Sequence, residues 1–125
     1  MNDILWIVQI LLGLAFLMAG FMKATQPVEK LSQNMAWVND FSPTQVRIIG
    51  MLEVLAGIGL ILPMLTNILP ILTPLAAVGL VLTMIGAMIT HIRRSEYSGV
   101  VVNVVLLALA LFVAYGRFIA LPVQM

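Results

Sequence analysis

A single carboxylate interrupts a long apolar stretch in the first half of the chain. Residues 50–62 are apolar at every position except Glu53. A charged side chain at the centre of a bilayer costs roughly 2.5–3.5 kcal/mol on insertion scales, and glutamate is too short to extend far toward water. If this stretch spans a membrane, Glu53 has to face protein, find a partner or carry a proton. Such residues mark function by default; the alternative is a purely structural ion pair or hydrogen bond.

The composition of the whole chain is that of a membrane protein. Of its 125 residues, 62% are hydrophobic and 9% are charged, whereas a soluble domain carries about a quarter charged residues. The formal net charge of +1 and the lack of a long basic run argue against a nucleic-acid partner. The chain has no cysteine, which excludes a disulfide, a thiol redox group, an iron–sulfur cluster and a thiolate zinc site. With a single histidine, we also expect no multi-histidine metal or haem site within the chain.

Four apolar blocks predict four membrane-spanning helices, over about residues 4–23, 43–62, 74–92 and 100–118. Ser42, Pro43 and Gln45 have the spacing of a capping box with proline at the first helical position. Thr73 and Pro74 repeat the cap-plus-proline start, and Pro63 is expected to end the second helix. A signal peptide is the competing interpretation of the first block. It lacks a basic start and a small-residue cleavage site, which favours a retained helix.

The connection between the first two helices is the longest polar part of the chain. Within it, apolar residues recur at three- to four-residue spacing, at Leu31, Met35, Val38 and Phe41. This pattern fits a short amphipathic helix at the membrane interface with Trp37 at headgroup level, or an ordinary structured loop. We therefore predict an all-α membrane protein that forms one domain over residues 1–125. It is an antiparallel bundle of four transmembrane helices with a short amphipathic interfacial segment between helices 1 and 2.

Because consecutive helices cross the membrane in alternating directions, five polar residues lie in the same half of this bundle. They are Lys23 at the end of the first helix, Arg47 and Glu53 early in the second, His91 at the end of the third and Asn103 near the start of the fourth. The opposite half has little that is polar except Gln9. Small residues share helix faces with these polar residues, which is typical of helix–helix interfaces in membranes.

We expect Glu53, Lys23, His91 and Asn103 to point inward and to form one connected site. Lys23 or His91 would hold Glu53 ionised; if neither reaches it, Glu53 would be protonated and donate a hydrogen bond. Arg47 lies about 120° around the helix from Glu53 and would serve another helix or a headgroup. The alternatives stay open: Lys23, Arg47 and His91 as interfacial residues, and Asn103 as a packing hydrogen bond.

Several short pieces of the sequence, in their order along the chain, resemble the DoxX and DoxX-like family of small four-helix membrane proteins. The pieces are AGFMK at 19–23, GMLE at 50–53 with Gly57, Gly86 and Ala87 followed by His91, and Asn103. Family members include the large subunit of an archaeal thiosulfate:quinone oxidoreductase and bacterial membrane proteins linked to oxidative-stress complexes. More distant relatives are assembly chaperones for receptors. The resemblance implies a multi-pass protein of a bacterial-type inner membrane and a connection with quinones, while the lack of cysteine removes a thiol-based role.

Two functions fit these residues best, and a proton or ion transporter is a third, less favoured option because four short helices with one carboxylate give little for alternating access unless the protein is a dimer. In the first, Lys23, Arg47, Glu53, His91 and Asn103 bind a lipophilic small molecule such as a quinone, as part of a membrane redox or stress-response system. Glu53 would relay a proton with His91 as its exchange partner. The protein would be at most a subunit of a quinone-linked oxidoreductase, since the chain has no obvious redox centre and needs an external electron donor.

In the second function, the polar cluster only fixes helix register in a non-enzymatic assembly or chaperone-like protein. The exposed helix faces or the segment over residues 27–41 would then recruit another membrane or redox protein. The small-residue pairs Ala15/Ala19 and Ala110/Ala114 would support a homodimer or other homo-oligomer. Five basic residues lie on one side of the membrane, Lys23, Lys30, Arg47, Arg93 and Arg94, against Arg117 on the other. The positive-inside rule therefore predicts both termini outside.

Overall fold

The computed structural model describes residues 1–33 and 35–123, and within them the chain forms helices and no strands. Its elements are α1 (Asn2–Thr25), α2 (Val28–Leu31), a 3-10 helix (Ala36–Asp40), α3 (Pro43–Thr66), α4 (Leu72–Arg93), α5 (Tyr97–Tyr115) and a π-helical turn (Gly116–Ala120). In this described part, α1, α3, α4 and α5 with its π turn are long and apolar enough to cross a membrane. The prediction of an all-α, four-helix membrane protein is confirmed.

Glycines bring the backbones of α1 and α3 into direct contact. A Cβ atom placed on Gly20 would lie 2.5 Å from the carbonyl oxygen of Gly50, and one on Gly50 would lie 2.6 Å from the carbonyl oxygen of Gly20. Two turns away, a Cβ on Gly57 would lie 2.7 Å from the carbonyl oxygen of Gly13. The order of these pairs makes the two helices antiparallel. Lipid supplies no hydrophobic drive between helices, so such close backbone packing is what holds them together.

The four long helices share one apolar core. It contains Leu12 and Phe16 from α1, Leu60 from α3, Leu80 from α4 and Val113 from α5. The core also takes in Ala110, which is fully buried, and Ala114, which is 8% exposed. These two alanines pack inside the monomer, so their predicted use as a surface for self-association is wrong.

Contrary to prediction, α3 continues through Pro63 to Thr66 instead of ending at about Leu62. A proline inside a helix removes the N–H that would bond the carbonyl four residues earlier, here that of Gly59. The hydroxyl of Thr73 donates to this Gly59 oxygen at 2.7 Å and replaces the missing bond. Thr73 is therefore not the cap of the next helix, and α4 begins at Leu72 without a side-chain cap. The hydroxyl of Thr73 thus explains both why α3 continues past Pro63 and why Thr73 does not cap α4.

The capping box at the start of α3 is confirmed. Gln45 N–H donates to Ser42 Oγ at 3.1 Å, and Ser42 N–H donates to Gln45 Oε1 at 2.9 Å. The segment before it forms α2 and the 3-10 helix, not a single amphipathic helix, because Met35 has a non-helical backbone. This break lets the apolar stripe fold inward, and Leu31 and Val38 are buried in a small cluster with Val46 of α3.

A polar network joins α1 and the π turn after α5, in the half of the bundle that holds the termini. Arg117 lies on the π turn and is 2% exposed. Its Nε donates to Gln9 Oε1 at 2.6 Å, and its Nη1 donates to Asn2 Oδ1 at 2.8 Å. The amide of Gln9 in turn donates to the carbonyl of Leu60 in α3 at 2.8 Å. The predicted fourth helix over about 100–118 starts earlier, at Tyr97, and its π turn carries Arg117 into the protein interior.

Replacing Gly20 or Gly50 by alanine is expected to destabilise the bundle by about 1–3 kcal/mol, because the added methyl group forces the α1 and α3 backbones apart. Reversible unfolding with dodecyl sulfate in mixed micelles measures this. Gly79→Ala in α4 is the matched control, since a Cβ there meets no atom within 4 Å. Equal stability of all three variants would contradict the glycine contact.

Candidate functional site

A cavity of about 510 Å³ lies in the half of the bundle to which the predicted site residues were assigned. Small-molecule sites occupy about 300–1,000 Å³, so its size suits a ligand. Its lining comes from α1, the 3-10 segment, α3 and above all α4. The residues are Lys23, Trp37, Phe41, Ile49, Glu53, Leu82, Thr83, Met84, Gly86, Ala87, Thr90, His91 and Arg93. Most of this surface is apolar, with the charged groups concentrated at a few points.

The buried carboxylate of Glu53 has a cation as its partner. Lys23 Nζ donates to Glu53 Oε1 at 2.6 Å, and the side chains are 12% and 3% exposed, respectively. The pair follows from the glycine contact, which Lys23 and Glu53 flank from opposite ends because the helices are antiparallel: a Cβ on Gly50 would lie 2.8 Å from Lys23 Cβ, and one on Gly20 would lie 2.9 Å from Glu53 Cβ. Side chains on a helix lean toward its N-terminus, so these two lean toward each other across the glycines. The ammonium group stabilises the ionised form of Glu53 in its buried position.

Two aromatic side chains cover the Lys23 end of the cavity. Lys23 Nζ lies 5.3 Å from the ring centroid of Trp37, within the range of a cation–π interaction. Trp37 and Phe41 pack edge to face with centroids 5.6 Å apart. Sequence reasoning placed Trp37 among the headgroups and Phe41 on an apolar stripe, and assigned neither to the site. The signal that could have found them is position, because their segment directly follows the helix that ends near Lys23.

His91 lines the same cavity, but its hydrogen-bond partner is not Glu53. Its Nδ1 lies 3.1 Å from Glu96 Oε1, at the turn between α4 and α5. Arg94 Nε lies 3.2 Å from the same Glu96 oxygen, and Arg94 Nη1 donates to Asp40 Oδ2 at 2.8 Å. The hydrogen bond to Asp40 raises the pKa of Arg94 above its ordinary value, although burial opposes this. This chain of charges ties the 3-10 helix to the α4–α5 turn near His91.

Arg47 and Asn103 do not line the cavity. Arg47 Nη1 donates to the backbone carbonyl of Lys23 at 2.7 Å, so it serves the end of α1, one of the two roles expected for it. Asn103 faces the bundle and is 6% exposed, and its Nδ2 has no hydrogen-bond partner within residues 1–33 and 35–123. The structure thus brings Lys23, Glu53 and His91 to one cavity and leaves Arg47 and Asn103 outside it. Their roles in ligand binding stay predictions.

The family model of the DoxX-like family matches residues 7–113, which is most of the chain. The chain belongs to the DoxX-like family. The matched range contains the whole cavity and both glycine pairs, so the resemblance noted from the sequence is confirmed. No significant match was found among curated proteins or among solved structures. Across the described part of this DoxX-like protein, no three His, Asp or Glu side chains come together as a metal site.

Replacing one or the other member of the buried Lys23–Glu53 pair is expected to change the stability by different amounts. Lys23→Met leaves the carboxylate of Glu53 buried without a cation and is expected to cost about 3 kcal/mol. Glu53→Gln should cost less, because the freed Lys23 can extend its amine toward water at the helix end. The double variant Lys23→Met/Glu53→Leu should recover most of the loss, since an apolar pair of similar volume removes the desolvation cost. Unfolding in mixed micelles measures all three, and a double variant that is no more stable than Lys23→Met would rule out the coupling.

Proposed function

We propose that this DoxX-like protein binds a lipophilic small molecule with a polar head in the cavity beside Glu53, as part of a membrane redox or stress-response system. The observation that carries the proposal is that the buried Lys23–Glu53 pair borders a cavity and is not sealed by packing. A carboxylate kept only for helix register gains nothing from an adjacent ligand-sized space. The largely apolar walls would hold the lipophilic part of the ligand, and the ion pair would hold its head.

A quinone is our candidate ligand. Its head is a planar ring with carbonyl acceptors, which suits the ammonium of Lys23 and the aromatic side chains of Trp37 and Phe41. Glu53 would exchange a proton with the head. His91 would connect the cavity to water through Glu96, whose side chain is 31% exposed. Electrons would come from a separate protein, so the chain would act at most as a subunit of a quinone-linked oxidoreductase.

The competing function is an assembly or chaperone-like protein that recruits another membrane protein. The segment between α1 and α3 would be its natural docking element, but Leu31 and Val38 are buried in the protein's own cluster. Little apolar surface is left there for a partner, which favours the small-molecule proposal. A homodimer would have to use another face, and Ala15/Ala19 on α1 is the remaining small-residue pair.

We also propose a place and an orientation in the cell. The protein would lie in a bacterial-type inner membrane, with its cavity half toward the cytoplasm and both termini outside. Lys30 and Arg93 support this orientation most directly, because both lie at helix ends in the cavity half. On the opposite side Arg117 is buried in the protein, so it leaves little exposed positive charge in the terminal half.

Extraction of the purified protein with organic solvent tests the small-molecule proposal. Mass spectrometry is expected to detect a quinone in near-stoichiometric amount from the wild type. Ala87→Phe fills the cavity from α4 and should abolish co-purification, whereas Ala108→Phe on the exposed face of α5 should not. Absence of any bound small molecule in the wild type, or equal amounts in all three proteins, would refute the proposal.

Reporter fusions test the orientation. A reporter active only outside the cytoplasm is expected to work when fused to the C-terminus, and a cytoplasmic reporter there should be silent. As a control, the same reporters inserted at Ser95, between α4 and α5, should give the opposite pattern. Cytoplasmic activity at the C-terminus would reverse the assignment.

A further inference from the structure

The wall that α4 contributes to the cavity has a gap at Gly86. Gly86 lines the cavity and is exposed, and a Cβ atom built on it would meet no atom within 4 Å. Leu82, one turn away, also lines the cavity and is 66% exposed. Residues that both line the cavity and face outward show that the cavity reaches the outer surface of the bundle here.

The gap lies well inside α4, which is long and apolar enough to cross a membrane. Gly86 is seven residues before Arg93, the last residue of α4, which is roughly 10 Å along the helix axis. The nearby hydroxyls are already used: Thr83 Oγ1 donates to the carbonyl of Gly79 at 2.9 Å, and Thr90 Oγ1 donates to that of Gly86 at 3.0 Å. The rim of the gap therefore presents hydrocarbon and satisfied polar groups, and it suits an apolar chain.

We propose that the ligand is an amphiphile whose hydrocarbon chain leaves the cavity at Gly86 and continues into the bilayer, while its head stays beside Lys23 and Glu53. This inference rests on the proposed small-molecule function and narrows its ligand to a chain-bearing class. A compact ring without a chain would leave the gap unused. A long chain, by contrast, would bury its first methylenes against Leu82 and Gly86 before reaching lipid.

Trp37 is a built-in reporter for this ligand, because it lines the cavity and the only other tryptophan is Trp6. In a Trp6→Phe background, quenching of Trp37 fluorescence measures binding of decylubiquinone and of the same benzoquinone head without a chain. Because a decyl chain enters detergent on its own, both affinities are referred to the quinone concentration within the micelle. On that scale decylubiquinone is expected to bind about tenfold more tightly, because its first methylenes pack against Leu82 and Gly86. Gly86→Leu should close the gap and remove this advantage. Gly79→Leu adds the same side chain in equally open space outside the cavity and should keep it.

A second experiment uses phospholipid with brominated acyl chains, and it separates the proposal of a small-molecule site from the proposal that a chain leaves the cavity at Gly86. Its chains should quench Trp37 in the wild type and in Gly79→Leu, and less in Gly86→Leu. If neither quinone quenches Trp37, quinone binding is wrong, and the brominated lipid alone decides whether chains pass at Gly86. If both quinones bind but Gly86→Leu changes neither the chain advantage nor the lipid quenching, the small-molecule site stands and the gap is not a route for a chain.

Discussion

The contact of two backbones, Gly20 against Gly50 and Gly13 against Gly57, is the constraint on which the rest of the molecule depends. In a bilayer the helices cannot gain stability by hiding apolar side chains from water, so contact area and polar bonds must hold them. Closing α1 onto α3 at the backbone leaves no room for side chains between them. Lys23 and Glu53 flank this contact from opposite ends, and their side chains lean toward each other across the glycines. The ion pair is thus a consequence of the packing as well as a contribution to it.

A second regularity is that several interior polar side chains bond to backbone carbonyls. Thr73 replaces the N–H that Pro63 lacks, Gln9 reaches the carbonyl of Leu60, and Arg47 caps that of Lys23. Hydrocarbon offers no water to a carbonyl left without its helical donor, and the carbonyls of Gly59 and Lys23 are of this kind because prolines follow them four residues later. In this chain the donors come from other helices, and each such bond also fixes the relative position of two helices.

The four spans could be predicted well from the sequence, because a run of about twenty apolar residues has the length of a bilayer crossing and is rare in soluble domains. Helix order alone also predicts that Lys23 and Glu53 share one half of the bundle, and helix phase predicts the inward face of α1. The predictions that were wrong concern tertiary contacts, which a local sequence pattern does not indicate. Thr73 has the signature of a helix cap, but its hydroxyl bonds to Gly59 in the preceding helix. Likewise, Nδ1 of His91 bonds to Glu96 from the following turn, a contact that no helix-face argument includes.

Arg117 adds a consequence for biosynthesis. Its partners Asn2 and Gln9 lie far upstream in the chain, so both leave the ribosome long before the guanidinium that binds them. Before α5 is inserted, the amide of Gln9 can already donate to the carbonyl of Leu60. The oxygen of Gln9 gains its donor only when Arg117 is present. A nascent chain cut short before Arg117 therefore leaves the buried oxygen of Gln9 without its donor inside the bundle.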